Sequence, residues 1–336
     1  MGRHHARVFS ELPGVTLVGV CDHDGERAAD IAEARGCEAF TDVAQLDAAG
    51  VDAVAIAVPT VHHRAAAEPF LRRGAGCLIE KPLAPDAAEA RALADLAERS
   101  GAVLQVGHTE RYNPAVRALQ AERDRAAAEG RPGIYPRFIE VHRVSPMTFR
   151  SVDVGVVFDM MIHDLDVVLN LVGGIDPADV QATGVPVLTE HEDVANARLT
   201  FKTSAGECIA NITASRLAFK TERKIRIIAE DAYVSIDYAR KTGVLIRKTA
   251  NETQLEEVRS ALRAGRDLSD LDYSELVTVE NLEIDDAEPL RKQAEDFVRA
   301  VRTGERPPVD AAAGLAAVSA AERITRACAA SVAASG

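Results

Sequence analysis

The stretch that most constrains this chain is Gly76-Cys77-Leu78-Ile79-Glu80-Lys81-Pro82, a short apolar run that breaks off into a carboxylate, an ammonium and a proline. Pro82 has no N–H for a ladder and cannot continue a helix, so the run reads as a buried strand with Glu80 and Lys81 at its carboxyl end. Similar runs at 16–22, 51–58 and 102–106 alternate with single helical segments at 24–36, 61–73 and 86–101. Strands separated by one helix each imply a parallel sheet wound with right-handed crossovers. Ligands bind at the carboxyl edge of such sheets, which makes Lys81 a candidate for chemistry; the plain alternative is a solvated Glu-Lys pair.

The character changes after Asn113-Pro114, an asparagine cap followed by proline at the first helical position of a charged helix ending near Gly130. A strand over 137–143 and a helix over 154–172 follow. Strands then come at hairpin spacing over 196–201, 207–216, 224–229, 233–238 and 244–248. The charged stretch 251–273 reads as a surface insertion, and 290–301 and 314–330 as helices. The expected fold class is therefore α/β: a Rossmann-like doubly wound parallel sheet over 1–112, then an α+β domain with a large, mostly antiparallel open sheet over 113–310. A C-terminal helix over 311–336 is expected to pack back toward the first domain.

Composition excludes several classes. The 336 residues suffice for two cores, and 47% hydrophobic with 27% charged residues is ordinary globular usage. No run is long enough for a membrane span. MGRHHARVF lacks the apolar core of a signal peptide, so the expected location is cytoplasmic. Five cysteines without C-x-x-C point to neither a disulfide framework nor zinc, and a formal charge of −13 opposes nucleic-acid binding.

Asp22 ends the first strand, where a dinucleotide fold places the acid that accepts from the adenosine ribose; it also repels a 2′-phosphate, although Arg27 leaves NADP open. A turn acid before a helix is the alternative. Asp159, His163 and Asp166 share one helical face, with Asp164 pointing elsewhere. An acid one turn before a histidine can fix its tautomer for general-base work, yet an isolated D-x-x-x-H reads first as a helix cap plus a core histidine. No third ligand supports a metal there. Arg111, Arg143, Arg150 and Arg216 lie at strand ends or turns and can grip a phosphate or carboxylate; taken singly, each reads as a surface residue. His62 and His63 follow Pro59-Thr60, where an imidazole can meet a cofactor or simply cap the helix.

Together these segments resemble the glucose-fructose oxidoreductase, inositol dehydrogenase and rhizopine-catabolism (Gfo/Idh/MocA) family over nearly the whole chain. The likeness rests on MGRHHARVF as the tail of G-x-G-x-M-G, VCDHD, AIAVPTVHH, CLIEKPLA, VGHTERYNPAV, DMMIHDLD and FVRAVRTGERPPVDAAAGLAAV. It implies NAD as cofactor, catalytic positions at Lys81, Asp159 and His163, and cofactor positions at Gly2, Asp22, Pro59, Thr60, His63, Glu80 and Lys81. It also implies homodimers or homotetramers formed through the open sheet. Within the family, GHTERYNPAV, HRVSP and IHDLDVVL look most like nucleotide-sugar 3-dehydrogenases, such as those acting on UDP-N-acetylglucosamine. By that likeness Arg111, Asn113, Arg143, Arg150 and Arg216 would meet the diphosphate and sugar.

The expected function is hydride transfer between a ring secondary alcohol and nicotinamide, at C3 of a nucleotide sugar. His163 takes the hydroxyl proton, Asp159 orients it, and Lys81 stabilises the oxygen. A cyclitol or free-hexose dehydrogenase is one alternative. A non-catalytic NAD-binding regulatory protein is another, against which the joint presence of Lys81, Asp159 and His163 speaks. The first strand and the first two fingerprint glycines do not precede Met1, so a gap is expected between the strands ending near Asp22 and Pro59, with the natural polypeptide expected to begin several residues earlier. Asp22→Ala is expected to weaken NAD and narrow the gap to NADP, which dissociation constants for both cofactors will show; an unchanged ratio removes Asp22 from that role.

Overall fold

The computed structural model describes residues 1–149, 153–267, 269 and 271–335. The first third runs α1 (Gly2–Glu11), β1 (Gly19–Cys21), α2 (Gly25–Arg35), β2 (Glu38–Phe40), α3 (Val43–Ala48), β3 (Ala53–Ile56), α4 (His63–Arg72), β4 (Gly76–Glu80), α5 (Ala87–Ser100) and β5 (Leu104–Gly107). Local chemistry sets the boundaries. The Asp24, Asp42 and Asp86 carboxylates accept from main-chain N–H groups in the first turns of α2, α3 and α5, while Gly36 and Gly101 end α2 and α5 in the left-handed region.

All pairs among these five strands are parallel, but they form two separate sheets, β1-β2 and β3-β4-β5. β1 and β3 do not pair with each other. Both are largely half-buried, whereas every residue of β4 and β5 is buried. An antiparallel bridge from Gln105 to Asp310 covers the far edge of β5.

The remainder comprises α6 (Pro114–Ala128), β6 (Phe138–Val144), α7 (Ile162–Leu171), β7 (Asp179–Val185), β8 (Val194–Thr203), β9 (Gly206–Ser215), β10 (Glu222–Ile228), β11 (Ala232–Asp237), β12 (Thr242–Lys248), α8 (Glu252–Arg263), β13 (Val277–Asn281), α9 (Pro289–Thr303) and α10 (Ala311–Ser335). Eight strands form one sheet in the order β13-β12-β11-β10-β6-β9-β8-β7, antiparallel throughout except for β6 with β9. Strand alternation puts Ala195, Ala197, Leu199 and Phe201 of β8 in the core and leaves Asn196, Arg198 and Lys202 on the open face. α10 packs on β7 and also on α5 and α7, so it touches both halves of the molecule. α9 lies against α1 rather than the large sheet.

Three features depart from the sequence reading. β7 and β13 are additional strands. The 251–273 stretch contains a regular helix, α8, with none of its residues buried. The helix expected over 154–172 starts with a π-helical turn, Val157–Met161, before α7 proper.

The π turn is held from one side by the loop before β8. The Asp193 carboxylate is fully buried and accepts from the N–H groups of Val187, Leu188 and Thr189 at 2.6–3.0 Å. Arg216, whose Nε lies 3.6 Å from Asp193, donates through Nη2 to the Val154 carbonyl at 2.6 Å. Gly155 lets the Glu192 carboxylate approach closely, since a Cβ there would stand 2.0 Å from Glu192 Oε1 and that side chain would have to shift. Burial raises the Asp193 pKa, but the three N–H donors outweigh it and hold the carboxyl at about 2. A depressed carboxyl stabilises the fold above its unfolded pKa and loses that contribution as pH falls through the folded value. Asp193→Asn is therefore expected to cost on the order of 2 kcal/mol at neutral pH, with the gap to wild type closing between about pH 4 and pH 2 in denaturant titrations.

Candidate active site

The site begins where β4 ends. Register pairs Glu80 with Gly107 of β5, so Lys81 and His108 leave neighbouring strands side by side. Lys81 Nζ donates to the main-chain carbonyl of Asp159 at 2.7 Å and lies 3.7 Å from its carboxylate. Asp159 sits on the π turn, and His163 lies one turn later at the start of α7. The structure thus brings Lys81, Asp159 and His163 together from separate halves of the chain.

The geometry differs from expectation in one respect. Asp159 is directed to Lys81, and His163 Nδ1 is buried without a hydrogen-bond partner. Burial, with the positive charges of Lys81 and Arg143 nearby, holds the His163 pKa well below its ordinary value. The imidazole is neutral at physiological pH, the form a proton acceptor needs. Burial also lowers the Lys81 pKa, opposed by the charges of Asp159 and Glu80.

Behind these groups lies a layer of enclosed ion pairs. Arg143 donates through Nε to Asp164 at 2.5 Å and through Nη1 and Nη2 to Glu110 at 3.1 Å, with its guanidinium 5.8 Å from the centre of the Tyr238 ring. Arg111 pairs with Asp166 at 2.8–2.9 Å. Glu110 and Arg111 belong to a 3₁₀ turn over Thr109–Tyr112 that leads out of β5. Asp164 and Asp166 therefore fasten α7 to the end of the parallel sheet and to β6.

Several expected contacts turn inward instead. Arg111 and Arg143 are committed to these carboxylates, and Arg216 is buried between Asp193 and Val154. Asn113 caps α6 through Ala115 N–H and donates to Glu110 and the Tyr238 carbonyl. Glu80 is buried, with Oε1 2.7 Å from His5 Nε2 of α1. His63 has both ring nitrogens against main-chain carbonyls, Leu83 at 3.3 Å and Val58 at 3.0 Å. In this structure the side chains of Glu80, His63, Asn113, Arg111, Arg143 and Arg216 meet groups within the protein, where the sequence reading offers these positions to a cofactor or substrate. Arg150 lies outside the described residues.

Asp22 follows β1 and is partly exposed, with Arg27 Nη1 3.2 Å away. Partial burial raises its pKa, but the Asp24 N–H and Arg27 overcome that and hold the carboxyl below its usual range. Gly2 opens α1, facing Ala57 beyond β3. Pro59 and Thr60 begin a 3₁₀ turn at the same edge. Among the described residues, no group of three or more His, Cys, Asp or Glu side chains is placed to hold a metal ion.

Two residues near the site were not anticipated. His108 is completely enclosed, and neither ring nitrogen has a hydrogen-bond partner. Arg223 pairs across strands with Arg143 on the core-side face of the sheet but is half exposed, 3.9 Å from Glu110. His108 had one signal, its place after a strand at the same edge as Lys81. Arg223 had none, because its neighbours depend on strand pairing.

A parallel-sheet half with an acid at the end of β1, joined to an open-sheet half that presents a neutral histidine beside a lysine, defines a dinucleotide-dependent dehydrogenase. Residues 1–108 match the oxidoreductase family model described as an NAD-binding Rossmann fold, and residues 137–235 match the GFO/IDH/MocA C-terminal domain. The chain belongs to the Gfo/Idh/MocA family of NAD-dependent oxidoreductases. It is 40% identical over 242 residues, 72% of each chain, to a UDP-N-acetylglucosamine 3-dehydrogenase of Acidithiobacillus ferrooxidans. The solved structure of that organism's enzyme, GnnA, superposes with a TM-score of 0.82 at 33% identity, covering 97% of this chain and 93% of the other. An inositol 2-dehydrogenase of Rhizobium meliloti is 28% identical over 73% of this chain and 75% of its own.

The ion-pair layer and the reactive face separate in a stability test. Asp164→Ala leaves the buried Arg143 short of a partner and is expected to cost roughly 3 to 5 kcal/mol. Asp159→Ala, at a half-buried position, is expected to cost under about 1 kcal/mol. Thermal and denaturant melts of the two variants without ligand check the contrast.

Proposed function

We propose that this protein oxidises the C3 hydroxyl of a UDP-linked amino sugar, using NAD. The observation that carries the proposal is the juxtaposition of Lys81, held against Asp159 by a 2.7 Å hydrogen bond, with the neutral imidazole of His163. The likeness to UDP-N-acetylglucosamine 3-dehydrogenase supports the substrate class.

The residues at the carboxyl edge suit a dinucleotide. The Asp22 carboxylate is placed to accept from a ribose hydroxyl, and the start of α1 at Gly2 offers a helix N-terminus for the pyrophosphate. Pro59 and Thr60 line the same edge. NAD supplies the hydride acceptor. His163 receives the hydroxyl proton, and because burial and Lys81 disfavour its cation, the proton is readily passed on. Lys81 donates a hydrogen bond to the same oxygen and stabilises its developing charge, while Asp159 holds the ammonium in place.

With Arg111, Arg143 and Arg216 engaged internally, Arg223 is the side chain we assign to the diphosphate, because it continues the same face to the open rim. Arg111, Arg143 and Asn113 act indirectly by fixing the walls. Copies of the chain associate, in this reading, through the open face of the eight-stranded sheet.

Incubation with NAD and a panel of nucleotide sugars, cyclitols and free hexoses, following absorbance of the reduced cofactor, is the direct test. UDP-N-acetylglucosamine is expected to react and UDP to inhibit competitively, whereas turnover of a cyclitol with indifference to UDP would overturn the substrate. Lys81→Ala and His163→Ala should each lower kcat by roughly a hundredfold or more while NAD still binds.

A further inference from the structure

We propose that His5 is a positioning residue for the dinucleotide: through Glu80 it fixes the first turns of α1 against the end of β4, so that the helix start at Gly2 and Lys81 keep one spacing. The assignment rests on the reading above in which that helix start takes the cofactor pyrophosphate.

Three observations carry it. His5 is buried in α1, about one turn after Gly2, and its Nε2 lies 2.7 Å from Glu80 Oε1. Its Nδ1 is enclosed without a partner, so Glu80 is the polar contact of the ring. The ring stacks on Phe9 with centroids 6.2 Å apart, and Phe9 meets Phe297 of α9 edge-on, which fixes the imidazole from behind. Next, both oxygens of Glu80 are placed. Oε2 accepts from the main-chain N–H of Lys81 at 3.3 Å, and the side chain lies against Gly107 of β5, where a Cβ would stand 2.9 Å from Glu80 Cα and 3.0 Å from Oε2. Last, Lys81 Nζ donates to the Asp159 carbonyl at 2.7 Å. A run of hydrogen bonds thus leads from α1 through Glu80 and Lys81 to the π turn.

Among the described residues, the other ion pairs that leave α1 run from Arg7 to Glu288 and from Glu11 to Arg291, both at the start of α9. His5 is therefore the polar link from this helix to the parallel sheet. Two apolar side chains would hold α1 against β4 without the desolvation that a buried histidine and carboxylate incur. What the hydrogen bond adds is direction: any other setting of the helix would leave a buried carboxylate oxygen without its donor. The N–H groups that open α1 carry the positive end of the helix dipole, and that effect falls off within the first turn. A shift of about an ångström there changes what a bound anion meets.

The test uses the full chain and reads NAD binding without sugar, by isothermal titration well below the melting temperature of every variant. His5→Leu is expected to weaken NAD roughly tenfold or more. His5→Gln, whose amide can still donate to Glu80, is expected to recover most of that loss, and His5→Asn, polar but too short to reach Glu80, to repeat it should the leucine variant not fold. Arg7→Ala, which cuts a tie to α9 instead, is expected to stay within about twofold of wild type. In the double variant His5→Leu/Glu80→Leu the loss is expected to match the larger single loss, because both changes cut one route. A merely structural histidine would lower the melting temperature and leave the dissociation constant of the folded protein at its wild-type value.

An unchanged NAD dissociation constant in His5→Leu, or in His5→Asn, overturns the assignment. So do losses that simply add in the double variant, or a His5→Gln protein as weak as His5→Leu. Gly2→Asp, which sets a carboxylate in the first turn of α1, tests the underlying reading by itself: it is expected to repel the pyrophosphate and weaken NAD. If it has no effect, the pyrophosphate does not lie at that helix start, whatever the His5 variants show.

Discussion

The working geometry depends on the buried ion pairs that fasten α7 to the end of the parallel sheet. Asp164 and Asp166 project from the helix into Arg143 and Arg111, and Glu110 closes the set from the 3₁₀ turn. Such enclosed pairs add little net stability, since desolvation consumes most of the attraction. Their effect here is positional. Each guanidinium must meet its carboxylate in a fixed planar arrangement, because a misplaced partner would leave a charge unpaired in the interior. The helix carrying His163 is therefore set against the strand end carrying Lys81, although the two residues lie 82 positions apart.

That arrangement separates charges by function. The carboxylates that neutralise arginine are enclosed, while the one beside Lys81 is accessible. Burial first, and then the cations near His163, which has no acid of its own, keep its ring neutral. On the opposite side, Glu80 and His5 join the strand end to α1 through a buried hydrogen bond, so the helix that opens at Gly2 is tied to the same edge as Lys81. The split between β1 and β3 leaves the remaining strands in place, since β4 and β5 keep their own ladder, with β4 packed against α4 and β5 against α10.

The sequence alone determined the parallel half, the mostly antiparallel half, and most of their element types, because apolar periodicity and capping residues act over a few neighbouring positions. Short-range pattern places Lys81 at a strand end and Asp159 and His163 on one helix face, while their selection as a set came from the family resemblance. β7 and β13 escaped notice: β7 is half-exposed and polar, and it is held by α10 from the far end of the chain. Only the tertiary structure decided which arginines are engaged, that Asp159 turns to Lys81, that Glu80 and His63 turn inward, and that His108 and Arg223 border the site. These outcomes follow from which charge meets which across long sequence separations. A guanidinium reads identically in the chain whether it awaits a diphosphate or already holds an aspartate; the fold decides by bringing the aspartate within about 3 Å or leaving it in water.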